Sequence, residues 1–161
     1  MKTLFEYLES LADRRGIDFG LHFVVIVIVA WLPAQLLSHA IIAIHPGPRG
    51  VDLFSSPWRA VTAVILLAPI LETLVMRFTF LLLRKITEKK HALLLASAAV
   101  WGLMHCKSEN WGIPAVWAFY VFSIIYLQAE KRSSDYALLL TTTVHVFFNA
   151  LAYGLYLWMP K

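Results

Sequence analysis

Five long apolar stretches divide this chain, and short polar or charged segments separate them. The stretches cover about residues 20–44, 58–83, 92–106, 110–128 and 136–158. A helix needs about 20 residues to cross the hydrocarbon core of a bilayer, so the pattern predicts about five transmembrane helices. The third stretch is the shortest, and we expect it to be a partial or tilted span. The predicted fold class is an all-α, polytopic membrane helix bundle.

The first 19 residues have a different pattern. Leu4, Leu8 and Leu11 recur at helical spacing, with polar residues between them. This spacing predicts an amphipathic helix lying in the membrane interface, and a frayed terminus is the alternative. The remaining residues, 20–161, are predicted to form a single transmembrane domain.

Composition and charge support this interpretation and add an orientation. The chain is 60% hydrophobic and 15% charged, with a mean hydropathy of +0.69, and this composition excludes an ordinary soluble domain. The predicted partner is the lipid bilayer, and no nucleic-acid partner is predicted. With five spans, nine Lys and Arg fall on one side and four on the other. The positive-inside rule then predicts a cytoplasmic N-terminus and an external C-terminus. The short chain without targeting signals favours a prokaryotic plasma membrane.

Polar side chains inside the apolar stretches mark the candidate site. They are Glu72, Arg77, His105, His145 and Asn149. Such groups are costly in hydrocarbon unless they face a partner or a water-filled cavity. Counted from the predicted cytoplasmic ends at ~1.5 Å per residue, Glu72, His105, His145 and Asn149 lie about 18, 22, 15 and 21 Å deep. Three helices thus place them at nearly one level, which predicts one shared site.

Glu72 is the only acidic residue inside a predicted span, and a carboxylate can act as the general base of a hydrolase. The alternative is a structural carboxyl neutralised by Arg77 or a histidine. Arg77 lies about 140° around the helix from Glu72, so we do not expect the two to pair within their own helix. His105 can orient Glu72 or share a proton with it, and the alternative is a satisfied core histidine.

His145 and Asn149 are four residues apart and therefore share a helix face. Two N–H groups projecting together can hold an oxyanion, whereas polar residues in membrane bundles also form interhelical hydrogen bonds. No cofactor or metal is predicted, although zinc held by Glu72, His105 and His145 is a possible variant. A proton-coupled carrier is a further alternative, but the chain lacks the internal repeat of the usual carrier designs.

At these residues the sequence resembles the CPBP family, the CAAX-protease and bacteriocin-processing membrane proteins also called Abi. The family pattern is Glu-Glu-x-x-x-Arg, an aromatic-x-x-x-His and His-x-x-x-Asn or Asp, each on a separate span. The counterparts here run from Glu72 to Arg77, from Trp101 to His105 and from His145 to Asn149. The resemblance covers about residues 58–155, which would be the family's four-helix catalytic core.

The resemblance implies a glutamate-type intramembrane protease that cleaves a membrane-associated protein or peptide, in maturation or in processing of a C-terminal sorting tail. By position, Glu72 would activate water with help from His105. His145 and Asn149 would hold the oxyanion. Arg77 would be structural or would face the substrate. Thr73 replaces the second Glu, and the chain is shorter than prenyl-protein-processing members, which weakens the case for farnesylated substrates. The alternative is a non-enzymatic bacteriocin-immunity or partner-binding protein.

Overall fold

The described part of the chain consists of helices joined by short turns. The computed structural model describes residues 17–44, 57–106 and 109–158, together with Glu6. Five helices are formed: α1 (Ile17–Ile44), α2 (Pro57–Arg59, Ala60–Leu67 and Ala68–Leu83 in succession), α3 (Lys90–Met104), α4 (Glu109–Glu130) and α5 (Ser134–Trp158). No strand occurs within these ranges. The predicted all-α class is confirmed.

Four of these helices are long and apolar enough to cross a membrane. The candidate spans are Gly20–Ile44, Val61–Leu83, Gly112–Glu130 and Ser134–Trp158. Helix α3 is apolar but has only 15 residues, or roughly 22 Å at 1.5 Å per residue, and is therefore shorter than the hydrocarbon core. The chain is thus a helical integral membrane bundle. The amphipathic helix predicted over residues 1–19 lies outside the described residues, apart from Glu6 and the first three residues of α1.

Helix α4 is the centre of the bundle. It packs against α1, α3 and α5, and every residue from Val121 to Ala129 is buried. In the apolar 18-residue stretch of α4, 78% is buried, whereas in the corresponding stretches of the other three candidate spans 22–28% is buried. The outer faces of those three spans expose large apolar side chains, as expected where the surrounding solvent is lipid.

Polar contacts connect α4 to α3 and to the end of α2. Inside the bundle, Ser123 donates to Ser97 of α3 (Oγ–Oγ 3.0 Å). At one end, Arg84 after α2 forms a two-pronged ion pair with Glu130, in which Nη1 lies 3.3 Å from Oε1 and Nη2 contacts Oε2. The turns after α2 and after α4 therefore lie at the same end of the bundle.

Helices α3 and α4 cross closely because glycines face each other at the crossing. A Cβ built on Gly102 would lie 2.3 Å from a methyl carbon of Val116, and one built on Gly112 would lie 3.3 Å from the Gly102 carbonyl oxygen. A side chain at Gly102 would force the helices apart. The end of α3, immediately before His105, is held against α4 for this reason.

Candidate functional site

Three helices bring a carboxylate and two imidazoles together. Glu72 of α2 lies between His105, which follows α3, and His145 of α5. Glu72 Oε1 is 3.9 Å from His105 Nε2, and Glu72 Oε2 is 3.5 Å from His145 Nε2. These residues are distant in sequence, and they meet because α2 packs against both α3 and α5. A carboxylate between two imidazoles is a suitable arrangement for proton transfer.

Glu72 faces the interior from a helix that is poorly covered by the rest of the bundle. Its side chain is 24% exposed, whereas its neighbours Leu71 and Leu74 are exposed. Thr73 is buried, and its hydroxyl donates to the carbonyl oxygen of Pro69 on the same helix (2.7 Å). The residue that replaces the second Glu of the family pattern is therefore bonded to its own helix, and Glu72 is the acidic member of the cluster.

His105 has a defined orientation and tautomer. It caps α3 with φ −96° and ψ 0°, a bridge-region conformation in which active-site residues are often found. Its Nδ1 lies 2.8 Å from the carbonyl oxygen of Trp101. Since a carbonyl only accepts, Nδ1 carries the hydrogen, and the Nε2 of the neutral ring is an acceptor. His105 therefore directs a proton-accepting nitrogen toward Glu72.

His145 is held in an aromatic cage. Its side chain is 5% exposed, and its ring centroid lies 4.5 Å from that of Phe122, 5.4 Å from Phe119 and 6.3 Å from Phe148. Phe119 also stacks on Trp101 at 4.2 Å. Because Nε2 faces a carboxylate, the neutral ring is oriented to donate from Nε2, which is the opposite of the role assigned to His105 Nε2.

Asn149 lies one turn beyond His145 on α5 but contacts a different part of α2. Its Nδ2 donates to the main-chain carbonyl oxygen of Val64 at 2.7 Å. The spacing of His145 and Asn149 predicted their shared face but not this bond, because the acceptor is main chain and no sequence motif marks it. One of the two amide hydrogens of Asn149 is donated to Val64, and the second does not take part in this bond.

The remaining site candidate, Arg77, and the neighbouring thiol of Cys106 are not bonded to Glu72. Arg77 is half-buried and, among the described residues, forms no hydrogen bond or ion pair with Glu72. Cys106 donates from Sγ to the carbonyl oxygen of Gly102 at 3.0 Å, so its thiol is directed back at its own helix. Across the described ranges, no group of three or more His, Cys, Asp or Glu that could hold a metal ion is found, and the zinc variant stays a prediction.

The cluster is partly exposed, and several of its sequence neighbours are exposed apolar residues. The side chains of Glu72 and His105 are 24% and 29% exposed, so both reach the surface of the bundle. Leu71, Leu103 and Met104 beside them are exposed. The surface on which Glu72 and His105 are partly exposed is therefore rich in apolar side chains.

Comparison with known proteins identifies a family. A family model described as type II CAAX prenyl endopeptidase Rce1-like matches residues 54–151, a range that contains all three motifs and most of helices α2 to α5. This match is consistent with the CPBP family and confirms the resemblance stated from the motifs. Searches of curated proteins and of solved structures found no match.

Proposed function

Because this chain belongs to the type II CAAX prenyl endopeptidase Rce1-like family, we propose that it is an intramembrane endopeptidase in which Glu72 activates the attacking water. The observation that supports this proposal most directly is the position of the Glu72 carboxylate, 3.9 Å from an accepting nitrogen of His105 and 3.5 Å from a donating nitrogen of His145. Neither separation is a good direct hydrogen bond. The carboxylate is therefore available to a third group.

Water activation follows from the Glu72–His105 pair. A water oxygen about 2.8 Å from both Oε1 and Nε2 forms a reasonable triangle on a 3.9 Å base, and a separation of this size commonly holds a bridging water. Glu72 removes one proton from that water, while His105 Nε2 accepts a hydrogen bond from the other. The resulting hydroxide attacks the carbonyl carbon of the scissile peptide bond.

The charge that develops on the carbonyl oxygen is held by α5. His145 donates from Nε2, and Asn149 contributes the amide hydrogen that is not bonded to Val64. Fixed donors in a site with little water stabilise an oxyanion strongly. When the tetrahedral intermediate collapses, the proton on Glu72 passes to the leaving amine nitrogen, and the peptide bond breaks with the base restored.

The substrate we propose is a membrane-associated protein or peptide. Glu72 and His105 are partly exposed, and their sequence neighbours Leu71, Leu103 and Met104 are exposed apolar residues, which favours a segment that enters from lipid. The family description names CAAX prenyl endopeptidases, so a prenylated CAAX peptide and the same peptide without its prenyl group are a discriminating pair of probes. Faster cleavage of the unmodified peptide would support maturation or sorting-tail processing.

We further propose that the chain lies in a prokaryotic plasma membrane with the N-terminus in the cytoplasm. The turns after α2 and after α4 share one end of the bundle, and they carry Arg84, Lys85, Lys131 and Arg132. The positive-inside rule places that end in the cytoplasm. Cysteine labelling from either side of the membrane, at a residue introduced at Lys85 in a Cys106→Ser background, tests this orientation.

The proposed activity is tested by comparing the terminal peptides of membranes from cells making wild type, Glu72→Gln or no protein. Termini that appear only with the wild type establish proteolysis and locate the cut. Glu72→Gln is close in size and shape, so its expression and membrane insertion are expected to persist. Identical profiles from all three cultures of the source organism would favour the partner-binding alternative, and loss of activity with chelators would favour the zinc variant.

A further inference from the structure

At two prolines inside helices, a side chain from another helix bonds the carbonyl that the proline leaves without a donor. Proline has no N–H and cannot supply the i→i−4 bond of an α-helix. In α1, Pro33 removes the donor for the carbonyl of Val29, and Trp117 Nε1 of α4 donates to that oxygen at 3.0 Å. An unbonded carbonyl is costly in hydrocarbon, so the indole performs a structural role.

The second case lies in α2, about two turns before Glu72. The segment Ala60–Leu67 is a π-helix, and the N–H of Ala68 bonds the carbonyl oxygen of Ala63, five residues back. In this register the next N–H, that of residue 69, would bond Val64. Residue 69 is proline, and Asn149 Nδ2 donates to the Val64 oxygen instead (2.7 Å).

We propose that Asn149 is a positioning residue whose amide replaces the N–H that Pro69 lacks, holds α2 in its π-helical register and keeps Glu72 opposite His145. The bond selects this register. In an α-helical register Ala68 would bond Val64, and the carbonyl left without a donor would be that of Ile65. That carbonyl is about 100° further around the helix and points away from Asn149.

The register matters because much of the surface of α2 is not covered by the rest of the bundle. Helices α2 and α5 run antiparallel, with Val64 beside Asn149 and Glu72 beside His145. Only 22% of the apolar 18-residue stretch of α2 is buried, and its outer face is directed toward lipid. The Asn149 bond therefore fixes α2 against α5 about two turns before Glu72. Short π-helical segments are frequent at functional sites.

A first experiment needs no activity and is therefore independent of the proposed function. The sequence contains two asparagines, Asn110 and Asn149, so cell-free synthesis with ¹⁵N-asparagine gives two side-chain amide pairs in an NMR spectrum, assigned with Asn110→Asp. We expect one Asn149 proton to be shifted downfield and slow to exchange with solvent. Pro69→Ala restores a backbone donor for Val64 and should reduce both effects, whereas Pro33→Ala, at the proline of α1, should leave them unchanged.

The second experiment carries the inference to activity and rests on the proposed function. Asn149→Leu should lower kcat by roughly 10³-fold or more with little change in KM, because it removes an oxyanion donor and also lets the catalytic carboxylate shift by about 1 Å. In the Pro69→Ala background, the loss of kcat caused by Asn149→Leu should be at least tenfold smaller, because the backbone N–H restored at position 69 bonds Val64. A tenfold difference corresponds to a coupling free energy of ~1.4 kcal/mol. Trp117→Phe, which removes the equivalent bond at Pro33, serves as the control. Its effect on kcat should be the same with proline and with alanine at position 69.

Two results would overturn the inference. An Asn149 amide without a downfield-shifted, protected proton would mean that the Val64 bond is not formed. An equal loss of kcat in both Pro69 backgrounds would mean that Asn149 acts only on the substrate. If wild type cleaves no probe, the proposed function fails, while the NMR result still decides whether Asn149 replaces the missing N–H.

Discussion

Two glutamates of this bundle are almost equally exposed but have very different partners. The side chain of Glu72 is 24% exposed and that of Glu130 is 23% exposed. Glu130 is bound at both oxygens by the guanidinium of Arg84. Glu72 has an imidazole nitrogen near each oxygen, at 3.9 and 3.5 Å, and neither distance makes a strong hydrogen bond.

Burial alone therefore does not distinguish a structural carboxylate from a reactive one. A guanidinium fork occupies the acceptor positions of a carboxylate in a planar, charge-assisted arrangement, so Glu130 has little capacity left for a substrate. Glu72 lies between one accepting and one donating imidazole nitrogen, and its oxygens remain available. If this contrast in partners is also a contrast in function, equivalent substitutions at the two glutamates should have very different effects.

The largest effect should come from replacing each carboxylate by its amide. We expect Glu72→Gln to lower kcat by roughly 10³-fold or more, because an amide cannot act as the general base. Glu130→Gln removes the same charge in a side chain of the same size and should leave kcat nearly unchanged. The contrast is measured as the cleavage of one peptide substrate by both purified variants. Similar losses of kcat in the two variants would show that the two glutamates do not differ in function.

The next effect concerns the donor beside Glu72. His145→Leu should reduce kcat by about 10²–10³-fold, the usual cost of losing one oxyanion donor. His145→Gln retains an N–H near the position of Nε2 and should recover a large part of that loss. Single-turnover cleavage rates of the two variants test this, with thermal unfolding in detergent as a check on the aromatic cage. Equal rates would show that the ring fills space and donates no hydrogen bond.

Much of the fold could be predicted from the sequence. The apolar segments predicted over about 58–83 and 136–158 correspond to α2 and to α5, because long apolar runs in hydrocarbon have few alternatives to a helix. The family was also identified from its three motifs. Hydrophobic periodicity gave no sign that Ala60–Leu67 is π-helical, since that register depends on a donor from another helix.

The site was predictable only as far as residue types and depth. Spacing and depth placed Glu72, His105 and His145 at one level, and the structure brings these three side chains together. Their catalytic roles stay predictions. The Asn149–Val64 bond and the Arg84–Glu130 pair could not be predicted, because each joins segments whose relative rotation is set by packing.

A smaller effect is expected at the glycine crossing that places His105 near Glu72. Gly102→Ala puts a Cβ 2.3 Å from a methyl carbon of Val116, and overpacking of this kind typically costs about 1–3 kcal/mol. Adding Val116→Ala removes the clashing methyl and should restore most of the stability. Thermal unfolding of both variants measures this, and cleavage rates report whether His105 has moved. An unchanged midpoint in Gly102→Ala would show that the crossing adapts, and the close contact would then not explain the position of His105.

The smallest effect should come from breaking the ion pair of Glu130. Arg84 is 39% exposed, and pairs that reach solvent contribute only about 0.2–1 kcal/mol. Arg84→Gln should therefore lower the unfolding midpoint slightly, and the double variant with Glu130→Gln should be no less stable than Arg84→Gln alone, since the partner is already lost. The stabilisation should also weaken as salt screens the exposed charges. A large loss of activity in Arg84→Gln with unchanged stability would contradict the comparison, because it would assign a role in the reaction to the fully paired glutamate.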